Sequence, residues 1–349
     1  MGKGNESRVV RIQKKRRKKW AFRVMGLILI LIIGIGSYLG YQAISALTKS
    51  HDSEVSRSKR RQKPVEPKKE PFAVLLLGSD QIDTKAEQKI WRPDVIMVAA
   101  VNPKTKSVKL LSIPRDTKVT IANTDGFRDK INHSAYWGKM KGKNPIDNTR
   151  ETVENLLDIP IDYYAKVNFR GFVDIVDAVG GVDVNNRYTF RGPAINQMKT
   201  IPAGQHHLNG MEALAYVRQR KAEQNIEGDM GRNERQQEVI SQIVDKMISA
   251  EGIANFPKIS RAVGDNLSFN IDIGEIPSIA AVYQNIPISN IETVKVETYP
   301  DKIKGISYLI LSEKEKQRIR DLFKQYMELK SEEDNPQSDQ TSNGFPGHR

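Results

Sequence analysis

"DVIMVAAVNPKTKSVKLLSIPRD", residues 94–116, decides the architecture of this chain. Two apolar runs, 94–102 and 107–113, flank the four residues "PKTK", and a connection that short joins antiparallel neighbours. The runs are continuous rather than alternating, so both strands are covered on both faces. "FAVLLLG" at 72–78 has the same character. Further strands are predicted at 162–169 ("DYYAKVNF"), at 181–184 ("GVDV") and near 291–298. Helices are predicted over 148–157, opening on the capping residue Asn148, over 170–179 and over about 312–329. A long helix over about 232–250 places Val239, Ile240, Ile243, Val244 and Met247 on one apolar stripe. Helices interleaved with buried strands predict a three-layer α/β/α sandwich, and the hairpin makes its central sheet mixed.

The charge of +13 is not spread over the chain. Residues 1–70 hold 18 Lys/Arg against 5 Asp/Glu, so the whole excess falls there and the remaining 279 residues are neutral. A nucleic-acid groove needs its basic excess on the folded body, so that function class loses its support. The cluster "KKRRKKW" at 14–20 instead precedes 24 residues, 24–47, without one charge. As a helix this stretch is about 36 Å long, enough for a hydrocarbon core of about 30 Å. It is longer than the apolar region of a signal peptide, so it reads as an uncleaved transmembrane anchor. Lys and Arg before it keep residues 1–23 cytoplasmic and place the body outside. Residues 48–70 are polar and proline-spaced and read as a linker. The body is expected over 71–330, and the polar stretch 331–349 is expected as a disordered tail. The chain has no cysteine, which excludes disulfides, thiolate metal sites and cysteine nucleophiles.

No P-loop, no G-x-S-x-G elbow and no H-E-x-x-H occurs. His206 and His207 are adjacent and read as a solvated turn rather than a metal pair. What recurs is a cation with an acid nearby at element boundaries: Asp80 after the first strand, Arg92 and Asp94 before the second, Arg115 after the third. Lys130 falls at a helix start, Arg218 and Arg220 at a helix end, and Asp229, Arg232, Arg235 and Gln236 lead into the long helix. Taken singly, each Arg/Asp pair reads more readily as a surface salt bridge worth about 0–1 kcal/mol. Their number and shared position favour an anionic ligand, phosphate above all, held by arginine forks and by carboxylate-bound Mg²⁺. On spacing alone the two readings stand level.

The blocks "LLLGSD", "RPDVIMVAAVNPKTKSVKLLSIPRD", "KINHSAYWG", "IDYYAKVNFRGFVDIVDAVGGVDV", "LNGMEALAYVRQR" and "GDMGRNERQQ", in this order over residues 72–250, resemble the LytR–CpsA–Psr family of cell-wall proteins. The resemblance implies transfer of a polyprenyl-pyrophosphate-linked anionic glycopolymer, wall teichoic acid or similar, to N-acetylmuramic acid of peptidoglycan in a Gram-positive-type envelope. By the same resemblance Asp80 and Asp94 are ligands of Mg²⁺, with Mn²⁺ as the alternative ion. Arg92, Arg115, Lys130, Arg218 and Arg220 clamp the pyrophosphate, and Arg232, Arg235 and Gln236 close the site. Asp229 is the candidate base, with Asp94 its rival and a helix N-cap the structural alternative. Pro93 stands where the family usually has serine or threonine, which removes a hydroxyl and fixes the backbone. Phe169, Phe172, Val173, Val176 and Val179 read equally as the wall of a lipid slot and as plain core. Two other functions use the same pocket: a non-catalytic lipid-binding regulator, and a hydrolase with water as acceptor.

Overall fold

The computed structural model describes residues 57–79, 91–219, 228–248, 259, 266–272 and 274–329. In chain order, strands β1 (Phe72–Ser79), β2 (Pro93–Asn102) and β3 (Ser107–Ser112) precede a short hairpin, β4 (Lys118–Thr120) and β5 (Arg128–Lys130). Helices α1 (Ser134–Met140) and α2 (Pro145–Leu157), strand β6 (Tyr163–Asn168) and helix α3 (Phe169–Ala178) follow. Then come β7 (Val182–Asn186), β8 (Phe190–Pro193), β9 (Met198–Ile201), β10 (Gly204–Leu208) and helices α4 (Gly210–Arg218) and α5 (Gly228–Ile248). The last elements are β11 (Leu267–Phe269), α6 (Ile276–Gln284), β12 (Ile291–Val294), β13 (Tyr299–Ile303), β14 (Ile306–Ile310) and α7 (Glu313–Tyr326).

Six strands form the central sheet in the order β11-β6-β1-β2-β3-β12. β1 runs antiparallel to β2 and parallel to β6, and β3 runs antiparallel to β2 and parallel to β12. The sheet is therefore mixed, as the hairpin at 94–113 requires. Side chains alternate across it. Ala73, Leu75 and Leu77 of β1 pack with Ala135 of α1, Val153 and Leu157 of α2, and Ile319 and Phe323 of α7. Phe72 and Val74 point the other way, to Tyr163 and to Val282 of α6. A further core holds Val173 and Val176 of α3, Leu214 and Tyr216 of α4, and Val239 of α5.

Three expectations change. Helix α2 starts at Pro145 and not at 148: Asn144 is its cap, its side chain accepting from the Ile146 N–H at 2.8 Å, and Pro145 takes the first turn, where no N–H is missed. Asn148 is a buried interior residue whose Nδ2 donates to the Ser134 carbonyl at 2.7 Å. His206 and His207 lie on β10, paired to β7, rather than on a turn; they face opposite ways, and His207 Nδ1 is 2.7 Å from Asp183 Oδ1. Residues 57–70, expected as a free linker, pack on the body. Val65 is buried beside Phe72 and Tyr163, and Arg61 donates to Asp162 Oδ1 (2.7 Å) and to the Pro71 carbonyl (2.7 Å). Arg60 reaches Asp158 (2.6 Å) and Asn155 (3.0 Å). Burial pushes the Asp162 carboxyl up, against the pull of Arg61 and of the Ala73 N–H. The packed body therefore begins by Arg57. The stretch 24–47 and the tail 331–349 lie outside the described residues, among which no helix is long and apolar enough to cross a membrane.

Candidate functional site

A cavity of about 510 Å³ opens between the sheet and helices α3, α4 and α5. Its walls are apolar: Leu76 and Gly78 of β1, Ala165 and Val167 of β6, Phe169, Phe172 and Ile175 of α3, Leu214 and Val217 of α4, Ile240 and Ile243 of α5. Two close approaches shape it. A Cβ on Gly210 would sit 2.3 Å from the Val173 carbonyl oxygen, so only glycine lets α4 start against α3. A Cβ on Gly78 would meet Val95 Cβ at 3.0 Å, at the end of the cavity where charge appears. Of the stripe expected on α3, Phe169 and Phe172 face the cavity, while Val173 and Val176 are core. The stripe thus divides between cavity wall and core, with Val179 also on the core side.

The cavity's charged lining is Asp94, Arg115 and Arg218, with Gln236 beside them. The first two sit where β1 and β3 reach the same edge of the sheet. Gly78 pairs with Val95 and Ser79 pairs with Pro93, so Asp94 is the extra residue of a β-bulge. A bulge re-aims one side chain without breaking the strand. Pro93 suits this place, because the first residue of a strand can lack an N–H donor. At the end of β3 the Thr117 N–H donates to the Pro114 carbonyl at 3.0 Å, which closes a turn with Arg115 and Asp116 at its centre. The apolar strand thus ends on an adjacent guanidinium and carboxylate because that turn presents both.

Around this edge the charges form a chain. Arg115 Nη1 donates to Asp94, and Arg115 Nε lies 3.6 Å from Asp116 Oδ2. Lys130 Nζ donates to Asp116 Oδ1 at 2.7 Å. Burial works against the Arg115 charge, but Asp94 and Asp116 outweigh it and hold its pKa above the ordinary arginine value. Arg115 Nε is buried and makes no hydrogen bond, with Asp116 Oδ2 just beyond reach at 3.6 Å. Across the cavity, the Arg218 guanidinium stacks 4.2 Å from the Phe169 ring centroid. Arg92 is exposed, 5.8 Å from the Tyr136 ring of α1.

Not every expected residue turns inward. Arg235 donates to the carbonyls of Tyr216 (3.1 Å) and Gln219 (2.7 Å), and Gln236 donates to that of Val217 (3.3 Å). These are the orphan carbonyls at the C-terminus of α4, so the pair fixes the helix end that carries Arg218. Gln236 also lines the cavity. Asp80 and Arg220 lie outside the described residues, as do the side chains of Asp229 and Arg232. Beside the cavity, the charged edge carries Asp116, Lys118 and Tyr308, which sequence reasoning did not name as site residues. Asp116 stood in the quoted motif beside Arg115, but Tyr308 comes from β14, far outside every motif.

Magnesium suits one or two carboxylates completed by substrate phosphate oxygens. Asp94 fits that mode: a hard oxygen donor on the cavity lining, beside the arginine that would share the same phosphate. Among the described residues no three His, Asp or Glu side chains cluster as a metal cage.

The model of the LytR_cpsA_psr family matches residues 37–325. This chain belongs to that family. Among relatives of this LytR_cpsA_psr protein, TagV of Bacillus subtilis (strain 168), named a polyisoprenyl-teichoic acid–peptidoglycan teichoic acid transferase, is 39% identical over 279 residues, 78% of this chain and 69% of TagV. TagU of Bacillus licheniformis bears the same transferase name and is 35% identical over 302 residues, 85% of this chain and 92% of TagU. A structure of TagT bound to LI-WTA superposes with a TM-score of 0.62 at 31% identity, covering 80% of this chain and 99% of TagT. The crystal structure of B. subtilis TagV gives 0.61 at 35% identity, covering 76% and 100%. The mixed α/β fold around a mixed sheet is that of LytR_cpsA_psr structures.

Proposed function

We propose that this protein transfers a polyprenyl-pyrophosphate-linked anionic glycopolymer, of the wall teichoic acid class, to a muramic acid hydroxyl of peptidoglycan. The observation that carries this reading is one apolar cavity whose lining ends in Asp94, Arg115 and Arg218. Such a space suits a ligand with a hydrocarbon tail and a phosphate head, and the relatives' names supply the polymer and the acceptor.

In the proposed step the acceptor oxygen attacks the phosphorus on the polymer side of the diphosphate. Its bond to the bridging oxygen breaks, and polyprenyl phosphate leaves with that electron pair. A phosphodiester forms, and the hydroxyl proton passes to a base. Arg115 would exchange its partner Asp94 for a phosphate oxygen at Nη1, while Asp116 stays beside its Nε. Arg218, braced on Phe169, would face the other oxygens. Arginines fixed before the reaction stabilise the charge that grows on the leaving phosphate. Asp94, with Asp80, would hold Mg²⁺, which when bound neutralises pyrophosphate charge. Asp94 and Asp229 are the candidate bases. Clamp roles for Arg92, Lys130, Arg220, Arg232, Arg235 and Gln236 belong to the same proposal. So does anchoring by residues 24–47, with the N-terminus cytoplasmic and the body outside.

The test is the full chain in detergent with a lipid-pyrophosphate glycan, peptidoglycan oligomers and Mg²⁺. Linked product in step with lipid phosphate, lost on adding EDTA, is expected. Lipid phosphate without linked product would make the protein a hydrolase, and donor binding without turnover would make it a regulator. Mg²⁺-independent transfer would remove the metal.

A further inference from the structure

The ribbon β13–β14 has no role in the step above, yet it is seated against the charged edge. The Leu309 N–H donates to the Asp116 carbonyl at 3.0 Å, and Leu309 bridges Thr117. Tyr308 lies under two cations: Lys118 Nζ is 5.2 Å and Lys130 Nζ 5.8 Å from its ring centroid. Lys118 has no carboxylate partner among the described residues.

Residues paired across an antiparallel ribbon share a face. The pairs Tyr299–Ile310, Asp301–Tyr308 and Ile303–Ile306 therefore put two tyrosines and three isoleucines on one side. That side is exposed at its two ends, Tyr299 being 53% and Ile306 50% exposed, and half-buried at Ile303, Tyr308 and Ile310. A largely apolar strip with aromatic rings, edged by a lysine that no carboxylate of the described residues pairs with, matches a sugar chain bearing carboxylates. The C–H faces of the sugars lie on the rings, and the carboxylates meet the cation. A bilayer would ask for a broader apolar surface without the acid Asp301 in it. The strip is also continuous with the charged edge, through Tyr308, Lys130, Asp116 and Arg115 in turn.

We infer that the β13–β14 ribbon is the acceptor platform, holding the peptidoglycan glycan strand with Tyr308 under a sugar ring and Lys118 on a stem-peptide carboxylate. This rests on the transferase reading and names the part of the protein that would choose its acceptor.

The test compares wild type, Tyr308→Ala, Tyr308→Phe and Lys118→Ala as full chains in detergent, varying donor and acceptor separately. Tyr308→Ala should raise the acceptor KM about tenfold and leave the donor KM in place, Tyr308→Phe should restore it, and Lys118→Ala should matter only for acceptors that keep their stem peptides. An acceptor KM within about twofold of wild type in Tyr308→Ala would overturn the platform. So would an equal rise in donor KM, which would show that the ring merely positions Lys130. Co-sedimentation with polymer-free sacculi decides the ribbon separately. If wild type transfers nothing, the transferase reading fails; about tenfold weaker sacculus binding by Tyr308→Ala would still support the platform, and undiminished binding would sink it.

Discussion

Replacing Arg115 by glutamine tests the charged edge most directly. In the resting protein Arg115 sits between Asp94 and Asp116, its side chain one-third exposed, so the ion pairs it loses contribute only about 0–1 kcal/mol to stability. The melting temperature should fall by no more than about 2–4 °C. The catalytic loss is much larger. A unit charge about 4 Å from a phosphate oxygen is worth about 4 kcal/mol at an effective dielectric constant of 20. Desolvation returns part of that attraction. Loss of one fixed oxyanion donor costs about 2.7–4 kcal/mol, or about 10²–10³ in kcat. The variant also leaves Asp94 facing the phosphates without its arginine partner, while Asp116 keeps Lys130, which places the expected loss at the upper end. Lysine at 115 should recover part of the activity, because it restores the charge but not the fork. The assay is release of lipid phosphate by the full chain under saturating donor, with a thermal melt on the same sample. Turnover within about threefold of wild type, at unchanged stability, would refute the reasoning.

Ala165→Phe should fill the cavity from the sheet side; donor KM should rise at least about tenfold while the melting temperature holds or rises, since the void loses volume. Arg61→Ala should destabilise the body by about 2–4 kcal/mol in urea unfolding at pH 7, because it strands the buried Asp162 carboxylate, which can only escape by taking up a proton. Asp129 accepts from Trp137 Nε1 (3.0 Å) and pairs with His133 Nδ1 (2.8 Å); burial pushes its pKa up, but these bonds prevail and hold it below the usual aspartate value. Its stabilisation is therefore complete above the unfolded value of about 3.9 and lost as pH falls through the folded pKa. Asp129→Asn should cost about 1.5–3 kcal/mol at pH 7, and the gap to wild type should close below about pH 4. A gap that stays constant with pH would exclude the charge as its source.

The central sheet was legible because buried strands leave continuous apolar runs, and the hairpin was legible because "PKTK" admits only a tight reversal. The ends of elements were less so. Asn148 looked like a cap because asparagine before an apolar run usually is one, yet Pro145 and Asn144 together make a better start. The hairpins β4–β5, β8–β9 and β13–β14 escaped notice because strands of three to five residues, half exposed, carry no periodicity. The site was legible as chemistry but not as geometry. Arg115 and Asp94 are 21 residues apart and meet through a bulge and a turn. Arg218 and Arg235 carry the same charge and both donate to backbone carbonyls, Arg218 to those of Pro193 and Ala194 and Arg235 to those of Tyr216 and Gln219, yet only Arg218 lines the cavity, a difference no sequence announces.

The packing of residues 57–70 has a mechanical consequence. Arg61 and Val65 grip the sheet where β1 and β6 begin, while Asp94 and Arg115 lie where β1 ends. The seven steps along the eight residues of β1 separate the two levels by about 23 Å, at about 3.3 Å per step. Under the proposed anchoring the chain enters the body at the level opposite the reactive edge, a standoff with the cavity spanning part of the height between. A lipid could then keep its far end toward the membrane while its phosphates are lifted to the wall, and the length of β1 would set how far the enzyme reaches.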